Sequence, residues 1–389
     1  MRLYEFQAKR IFAKYGIPIP KGDIADSPFK AKKISEELGV PVAIKAQVLA
    51  GGRGLAGGIK FANNPEQTYQ IANEMLGKKF KREIVKRLLI EEKIQIDKEY
   101  FAGITIDYQN RCPLLIASSK GGIDIESIAK EHPTEIAKQN IDLDVGLTDF
   151  QARRIAKKVG LRGKYMLSFS SILKSLYNIM LNYDASLVEV NPLALTRDRS
   201  FIAVDAKIIL DEHASFRHQD FYSKIYNEFI LKEDYEVRKN LAKKAGIPTY
   251  IELEGNIGII ADGAGSGMLT LDLIKELGGE VETYCELGGR TSPQLIEEAM
   301  KIVLSNENVT YLLINLIGGL NRMDEMAEGI ISFITKNRNI IQKRGIEIII
   351  RMTGTLEEKG REMLTKFRIN TFDDIYDAIE RIVKLSRGN

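Results

Sequence analysis

Residues 45–59, KAQVLAGGRGLAGGI, decide how the first half of the chain is expected to fold. The β-rich run VPVAIKAQV leads into a loop that contains Gly52, Gly54 and Gly57 in the spacing GxGxxG. In a dinucleotide-binding site this spacing opens a helix after its strand, whereas here the strand-like run IKFA follows. The stretch therefore predicts a strand-loop-strand flap whose backbone N–H groups can cover phosphates, although a structural turn would also require these glycines.

Two basic residues accompany the flap. Lys45 lies at the inner end of a hydrophobic strand, where an ammonium group is costly unless it meets an anion, so it is the natural phosphate partner. Arg53 adds a second positive charge within the loop. The Walker pattern GxxxxGK[ST] is absent from the sequence, which excludes a P-loop.

Polar side chains in two later strands predict a metal site. SLVEVNPLAL contains Glu189 and Asn191, and FIAVDAKIIL contains Asp205 and Lys207 with the same spacing of two. Side chains two apart in a strand lie on one face. A carboxylate and an amide from adjacent strands form a sparse oxygen set that suits Mg²⁺ together with phosphate oxygens and water. A salt bridge of Asp205 with Lys207 or Lys45 would explain the same residues.

Two acidic residues flank the turn between the strands LLIEEKIQI and EYFAGITIDY. Glu91 and Glu99 are eight residues apart, a spacing that would let them accept hydrogen bonds from an adenine amino group and from ribose hydroxyls. Exposed turn charges are the ordinary alternative for both. The sequence leaves these two interpretations open.

Size and charge limit the classes of function. A chain of 389 residues suits two or three domains, and its net charge of +3 gives no sign of a surface that binds nucleic acid. An apolar run of the roughly 20 residues that a membrane helix needs does not occur, and the start MRLYEFQAKR differs from a signal peptide. We therefore expect a cytoplasmic protein with no nucleic-acid or membrane partner.

The pattern changes near residue 240. The charged stretch at 236–250 is expected to be a linker or surface helix. After it, NIGIIA, TYLLINL and EIIIRM alternate with helical stretches, as buried parallel strands do. The predicted α/β organisation is an α+β domain at 1–235, with a smaller flap-bearing subdomain at about 21–100, and a doubly wound, flavodoxin-like parallel-sheet domain at 251–389.

Five motifs in order give the whole chain a resemblance to a known family. These motifs are LYEFQAKRIFAKYGIPIP, KAQVLAGGRGLAGG, EVNPLAL, VDAKI and GNIGIIADGAG. Together they resemble the β subunits of succinyl-CoA synthetase, also called succinate–CoA ligase. The resemblance implies an N-terminal ATP-grasp domain and a C-terminal flavodoxin-like CoA-ligase domain.

The resemblance also implies roles for individual residues. Glu189 would steady the ring of a phosphohistidine, and Asn191 and Asp205 would hold Mg²⁺. ATP is the expected nucleotide, and the motifs leave GTP open. The implied nucleotide contacts are Lys45, Gly52, Arg53, Gly54, Glu91, Ile94 and Glu99.

The histidines bear on whether the chain acts alone. The family reaction, a step of the tricarboxylic acid cycle, passes a phosphoryl group from ATP to a histidine and then to succinate, after which CoA displaces the acyl phosphate. His132, His213 and His218 are the three histidines, and none lies in a glycine-rich loop that could expose its ring. The resemblance therefore implies an α subunit that carries the phosphorylated histidine and most of the CoA site.

Two glycine loops in the second half each close a strand and open a helix. Free N–H groups and the helix dipole would make the loops at 262–267 and 317–322 anion sites, although packing alone could also require their glycines. The implied acid-binding residues are Asp262, Gly319, Leu320 and Asn321.

Three positions at the acid-binding end depart from the family pattern. Asp262 replaces the usual Asn, Arg290 replaces Gly, and Asn321 replaces a small apolar residue. A hydroxylated acid such as malate could use Asn321 as an extra donor, and Arg290 could instead neutralise Asp262. Malate or another acid is thus the alternative to succinate.

A nucleotide-binding or regulatory subunit without catalysis is the alternative from a different functional class. Retention of Lys45, Glu189, Asn191 and Asp205 argues against it.

Overall fold

The structure is a computed structural model. It describes residues 1–49, 57–80, 83–122, 125–131, 133–221, 234–289, 291–369 and 371–388. The chain divides into two compact units, residues 1–219 and 220–389. No helix within the described ranges is both long enough and apolar enough to span a membrane.

The first unit begins with a helix and a small antiparallel sheet. Four strands form this sheet in the order β1-β6-β2-β3, while β4 and β5 pair as a separate hairpin. The strands are β1 (Gly22–Ala25), β2 (Val42–Ala46), β3 (Ile59–Ala62), β4 (Lys79–Phe80), β5 (Glu83–Ile84) and β6 (Leu88–Glu92). The helices are α1 (Glu5–Lys14), α2 (Pro28–Leu38) and α3 (Pro65–Met75).

Helices α2 and α3 start by the same local chemistry. Ser27 accepts a hydrogen bond from the backbone N–H of Lys30, and Asn64 accepts one from that of Gln67. A proline follows each cap, where its missing N–H costs nothing. The apolar faces of both helices pack on the sheet and bury the strands that carry Lys45 and Glu91.

A six-stranded antiparallel sheet forms the rest of the first unit. Its order is β11-β10-β7-β8-β9, and β12 also pairs with β10. The strands are β7 (Ile96–Asp107), β8 (Cys112–Ser118), β9 (Ile136–Asn140), β10 (Ala185–Thr196), β11 (Phe201–Ala203) and β12 (Lys207–Leu210). The helices are α4 (Ile125–Glu131), α5 (Asp149–Lys158) and α6 (Gly163–Asn182), with 3₁₀ turns at Pro133–Glu135 and Glu212–Arg217.

An aromatic cluster fixes α6 to this sheet. The Phe169 ring of α6 meets Tyr100 of β7 edge to face at 5.8 Å between centroids, and Phe201 of β11 at 5.4 Å. Such edge-to-face contacts add to the free energy of burial. They hold α6 to the central strand β7 and to the edge strand β11.

The second unit is a doubly wound sheet. Its strands are β13 (Thr249–Glu252), β14 (Ile257–Ala261), β15 (Val281–Glu286), β16 (Tyr311–Gly318), β17 (Glu347–Gly354) and β18 (Thr371–Phe372). Its helices are α7 (Asp234–Ala245), α8 (Ala264–Glu276), α9 (Pro293–Leu304), α10 (Met323–Arg344), α11 (Glu357–Lys366) and α12 (Ile375–Ser386). The order is β13-β15-β14-β16-β17-β18, parallel except for the edge strand β13. Residues 236–250 therefore comprise most of α7 and the start of β13, both within this unit.

Each face of the second sheet has its own hydrophobic core. Ile259 of β14 packs with α8 and α12, while the next residue, Ile260, packs with α9 and α10 on the opposite face. Because both faces are covered, the strands read as continuous apolar runs. The parallel strands follow the flavodoxin-like order 2-1-3-4-5. The predicted α/β fold class is confirmed.

Candidate functional site

Four charged side chains form a buried network between α1 and the small sheet. Lys45 of β2 lies 2.9 Å from Glu5 Oε1 and 2.8 Å from Glu91 Oε2. Lys9 lies 2.8 Å from Glu5 Oε1 and also binds Glu91 Oε1. All four side chains are at most 4% exposed. The positive charges of the two ammonium groups offset the negative charges of the two carboxylates, as buried charges require.

Lys45 also reaches the segment that carries Asp205, one of the two predicted metal residues. Its Nζ donates to the carbonyl oxygen of Val204 at 2.6 Å, directly before Asp205. The three N–H donors of the ammonium group therefore all have acceptors, namely Glu5, Glu91 and Val204. The strand-borne lysine links the small sheet to the larger one.

The network changes the proton affinities of its lysines. Burial disfavours the charged form of Lys45, but the carboxylates of Glu5, Glu91 and Asp205 outweigh it and raise the pKa of Lys45. Burial lowers the pKa of Lys9, against the opposing effect of Glu5 and Glu91. Lys45 is therefore held as a cation beside Asp205.

Asn191 and Asp205 lie opposite each other in two antiparallel segments of the larger sheet. Leu193 pairs with Ala203 on one side and Glu189 with Lys207 on the other, in the same register. This register places Asn191 across from Asp205 in the gap between β11 and β12. The amide and the carboxylate predicted to bind Mg²⁺ are thus brought together.

Asn191 is also joined to the region around Glu99. Its Oδ1 accepts a hydrogen bond from the backbone N–H of Gly122 at 2.7 Å. A Cβ atom on Gly122 would lie only 2.4 Å from Glu99 Oε2, so this carboxylate packs directly on the glycine. Glu99 lies on β7 opposite Ala194 of β10. Glu99, the predicted nucleotide contact, and Asn191, the predicted metal residue, therefore both contact the loop at Gly122.

The donor set suits Mg²⁺. Asn191 and Asp205 offer hard oxygen atoms of the kind that Mg²⁺ prefers. Among the described residues, His, Cys, Asp and Glu form no group of three or more that could hold a metal by themselves. A two-residue set of this kind would leave most coordination positions to phosphate oxygens and water.

The remaining residues predicted for the first unit have different surroundings. Glu189 of β10 is partly buried, and its Oε2 lies 3.9 Å from Lys207 Nζ. Lys207 thus pairs with Glu189. Glu91 is 2% exposed, so the alternative of an exposed turn charge is wrong for it. Ile94 is half-buried in the turn between β6 and β7.

The flap prediction is confirmed for its two strands. β2 and β3 pair antiparallel, with Lys45 opposite Ile59, so a strand follows the glycine sequence. Gly52, Arg53 and Gly54 lie outside the described residues.

The predicted acid-binding residues lie at the carboxyl ends of β14 and β16. Helices α8 and α10, which follow these strands, pack on opposite faces of the sheet, so this edge is the switch point where doubly wound folds bind ligands. Asp262 Oδ2 accepts from the N–H of Ile317 at 2.8 Å and so joins the loop after β14 to the end of β16.

Asp262 and Asn321 are both buried there. Burial raises the pKa of Asp262, opposed by its backbone hydrogen bonds and by the charge of Arg351. Asn321 Oδ1 accepts from the N–H of Thr291 at 3.1 Å, which orients the amide with Nδ2 as its donor side. Arg290, the predicted partner of Asp262, lies outside the described residues.

Gly319 and Leu320 form the exposed tip of the same loop. Leu320 is 88% exposed, and the Gly319 carbonyl accepts from Thr355 Oγ1 at 3.2 Å.

His213 and His218 are the histidines that the structure describes. His218 Nε2 lies 2.7 Å from Asp184 Oδ2, and its ring stacks on Tyr183. His213 lies in the 3₁₀ turn Glu212–Arg217. His132 lies outside the described residues.

Sequence reasoning missed Glu5, Lys9 and Gly122. Glu5 and Lys9 are spaced i,i+4 in a helix, a pattern that usually marks an exposed pair. The apolar residues around them, Phe6, Ala8 and Phe12, were the only local signal that this helix is buried on several sides.

Two family models match the chain, one in each compact unit. A family model described as an ATP-grasp domain matches residues 2–195, and one described as CoA-ligase matches residues 260–378.

Three curated relatives match over essentially their whole length. The "Succinate--CoA ligase [ADP-forming] subunit beta" of Pyrobaculum arsenaticum is 38% identical over 390 residues, covering 100% of both chains. The protein of the same name from Staphylothermus marinus is 39% identical and covers 100% of this chain and 99% of the relative. The "Succinate--CoA ligase [GDP-forming] subunit beta" of Thermus thermophilus is 39% identical over 388 residues, covering 100% of both.

A solved structure shares the fold. ATP citrate lyase from Methanothrix soehngenii, in complex with citrate and coenzyme A, superposes with a TM-score of 0.65 at 19% identity, covering 100% of this chain and 99% of that chain. Full-length identity near 38% and two matching domain models lead to one conclusion. The chain belongs to the family of succinate–CoA ligase β subunits.

Proposed function

We propose that the chain binds ATP with Mg²⁺ and an organic acid, and acts with an α subunit that carries the phosphorylated histidine. The complex would convert succinate, CoA and ATP reversibly into succinyl-CoA, ADP and phosphate. The observation that carries this proposal is the contact of Lys45 with Val204 beside Asp205, because it brings a cationic side chain to the residues that would bind Mg²⁺.

The residues of the first unit would act by charge and position. Lys45 would meet the phosphate chain, and Asn191 with Asp205 would hold Mg²⁺, which neutralises charge on the phosphate oxygens when bound. Glu99 would take the ribose hydroxyls from its place beside Gly122. The flap residues Gly52, Arg53 and Gly54 would cover the phosphates, with Ile94 and Glu91 on the adenine side.

Phosphoryl transfer then requires the partner. The bond between the β-phosphate oxygen and the γ-phosphorus breaks, and a ring nitrogen of the partner's histidine bonds to that phosphorus, releasing ADP. Glu189, partly buried and beside Lys207, would orient this ring by accepting its other N–H.

The second unit would bind the acid at the switch point. A carboxylate oxygen of the acid takes the phosphoryl group from the histidine, and the CoA thiolate then attacks the acyl carbon and releases phosphate. The loop at Gly319, Leu320 and Asn321 precedes the N-terminus of α10, where the helix dipole favours an anion. Asp262 would hold the end of β16, from which this loop starts, through Ile317.

Asn321 favours a second candidate acid. Its oriented Nδ2 is a donor that a substrate hydroxyl could use, as in malate. We therefore propose succinate as the main substrate, with malate as the specific alternative.

A substrate panel tests the proposal. The chain is purified with its α subunit and incubated with Mg²⁺-ATP, CoA and succinate, malate or other acids, and ADP and thioester are measured. Turnover of succinate supports the proposal. Turnover of malate without succinate would replace the substrate, and absence of ADP release with every acid would reject the ligase function. Asn321→Ala serves as a matched variant, expected to lower turnover of malate more than that of succinate.

A further inference from the structure

The buried network on α1 contains one lysine that the proposed mechanism does not use. Lys9 contacts the same two carboxylates, Glu5 and Glu91, that Lys45 contacts. We propose that Lys9 is a positioning residue for nucleotide binding, the counter-ion that holds Glu5 and Glu91 when Lys45 turns from one of them to a phosphate. This inference rests on the proposed function.

Phosphate binding must first change the contacts of the three N–H donors of Lys45. All three have acceptors at 2.6–2.9 Å, so a phosphate oxygen must displace one of them. Displacing Val204 would release the segment next to Asp205. Displacing Glu5 or Glu91 keeps that segment in place, and is therefore the exchange that the geometry favours.

This exchange must also leave each buried carboxylate with a positive charge beside it. A carboxylate that loses Lys45 would be left buried without a counter-ion, which is strongly unfavourable. Lys9 prevents this, because each carboxylate already has its second contact there. Lys45 can therefore donate to phosphate without leaving either acid unpaired.

Removal of Lys9 would leave the network with one ammonium group for its two carboxylates. Of the two lysines described in the network, Lys45 alone would then face both carboxylates, and both would compete with the phosphate for it. Weaker nucleotide binding should follow, although Lys9 itself touches no phosphate in this scheme.

The test is calorimetric titration of the full chain with Mg²⁺ and a non-hydrolysable ATP analogue. Lys9→Met is expected to raise the Kd about tenfold or more, corresponding to the loss of a charged hydrogen bond. Lys9→Met combined with Glu5→Gln removes one charge of each sign and is expected to recover most of the affinity. Lys14→Met, at an exposed position of the same helix, is the matched control and should bind as wild type.

Glu5→Gln alone keeps the inference falsifiable if Lys9→Met does not fold. It removes a competitor for Lys45, so affinity should rise. A tenfold loss in Glu5→Gln would overturn the inference, as would wild-type affinity in folded Lys9→Met or no recovery in the double variant.

The wild-type titration separates the two claims. A wild-type chain that does not bind the analogue contradicts the proposed nucleotide site and the inference with it. Wild-type binding together with unaltered binding by Lys9→Met contradicts the role of Lys9 alone.

Discussion

Lys45 on β2 donates a 2.6 Å hydrogen bond to the backbone carbonyl of Val204, the residue before Asp205. This bond joins the flap-bearing sheet to the strand segment that faces Asn191. A lysine that contacts both the small sheet and the segment at Asp205 can place a phosphate group and a Mg²⁺ ion side by side. The proposed phosphoryl-transfer site depends on this one connection more than on any other.

Replacement of Lys45 should weaken nucleotide binding. Lys45→Ala removes a charged donor, worth about 1.5–3 kcal/mol, so ATP affinity should fall roughly tenfold or more. Isothermal titration calorimetry measures the ATP affinity, and circular dichroism verifies that the variant is folded. Lys60→Ala is the control, because Lys60 lies on the neighbouring strand β3 in an exposed pair with Glu74. Equal affinity of Lys45→Ala and wild type would refute the phosphate role.

Gly122 should be needed for space as well as for its backbone conformation. Gly122→Ala puts a Cβ 2.4 Å from Glu99 Oε2 and should push this carboxylate away from the site. We expect nucleotide affinity to fall several-fold, measured by the same titration.

Gly160→Ala is the matched control for that variant. Gly160 has a similar positive φ, +88° against +77°, but open space around its Cβ position. Both variants should lose about 1–2 kcal/mol of stability from the left-handed backbone. If both also bound nucleotide as wild type does, Glu99 would not be a nucleotide contact.

Asp262→Asn should stabilise the chain in a pH-dependent way. Burial raises the pKa of Asp262 in the folded state, so its contribution to stability is fully present below the unfolded pKa of about 3.9 and is lost as pH rises through the folded pKa. The asparagine can still accept from Ile317 but carries no charge. Its Tm advantage should therefore be absent near pH 4 and grow towards pH 8.

Asp107 provides a control of opposite sign for that measurement. Hydrogen bonds from Asn110 and Asn140 lower the pKa of Asp107 to about 2. Its stabilising contribution is present above the unfolded pKa and is lost as pH falls through the folded pKa, so Asp107→Asn should destabilise the chain near neutral pH. A constant Tm difference for Asp262→Asn across the pH range would contradict the account of its burial.

The sequence predicted the parts of the fold whose pattern is local. Short β-branched runs gave the parallel strands β14, β16 and β17, and IKFA after the glycine loop gave the β2–β3 hairpin. The strand-like runs that contain Asn191 and Asp205 likewise predicted neighbouring backbone segments, although Asp205 itself lies in the gap between β11 and β12.

Other elements were hidden by their polar content. Strand β15, VETYCE, was not predicted, because Glu282 and Thr283 make it look exposed although both are buried. The Glu282 carboxylate is satisfied by Asn306 Nδ2 at 2.9 Å and by the N–H of Gly255 at 3.0 Å. Such distant partners cannot be inferred from the strand itself.

The buried network was unpredictable for the same reason. Glu5 and Lys9 form an ordinary i,i+4 pair in the sequence. Only the packing of α1 beside β2 and β6 brings Lys45 and Glu91 to them. The charge balance of the site is thus a property of the tertiary structure.

The most direct test of the central claim is transfer of label from ATP to the partner. The complex of this chain with its α subunit is incubated with Mg²⁺ and ATP labelled at the γ-phosphate, and labelled histidine on the α subunit is measured. Wild type and Asp198→Ala, a change at an exposed acid between β10 and β11, should transfer label, whereas Asp205→Ala should not. Undiminished labelling of the α subunit with Asp205→Ala would contradict the account.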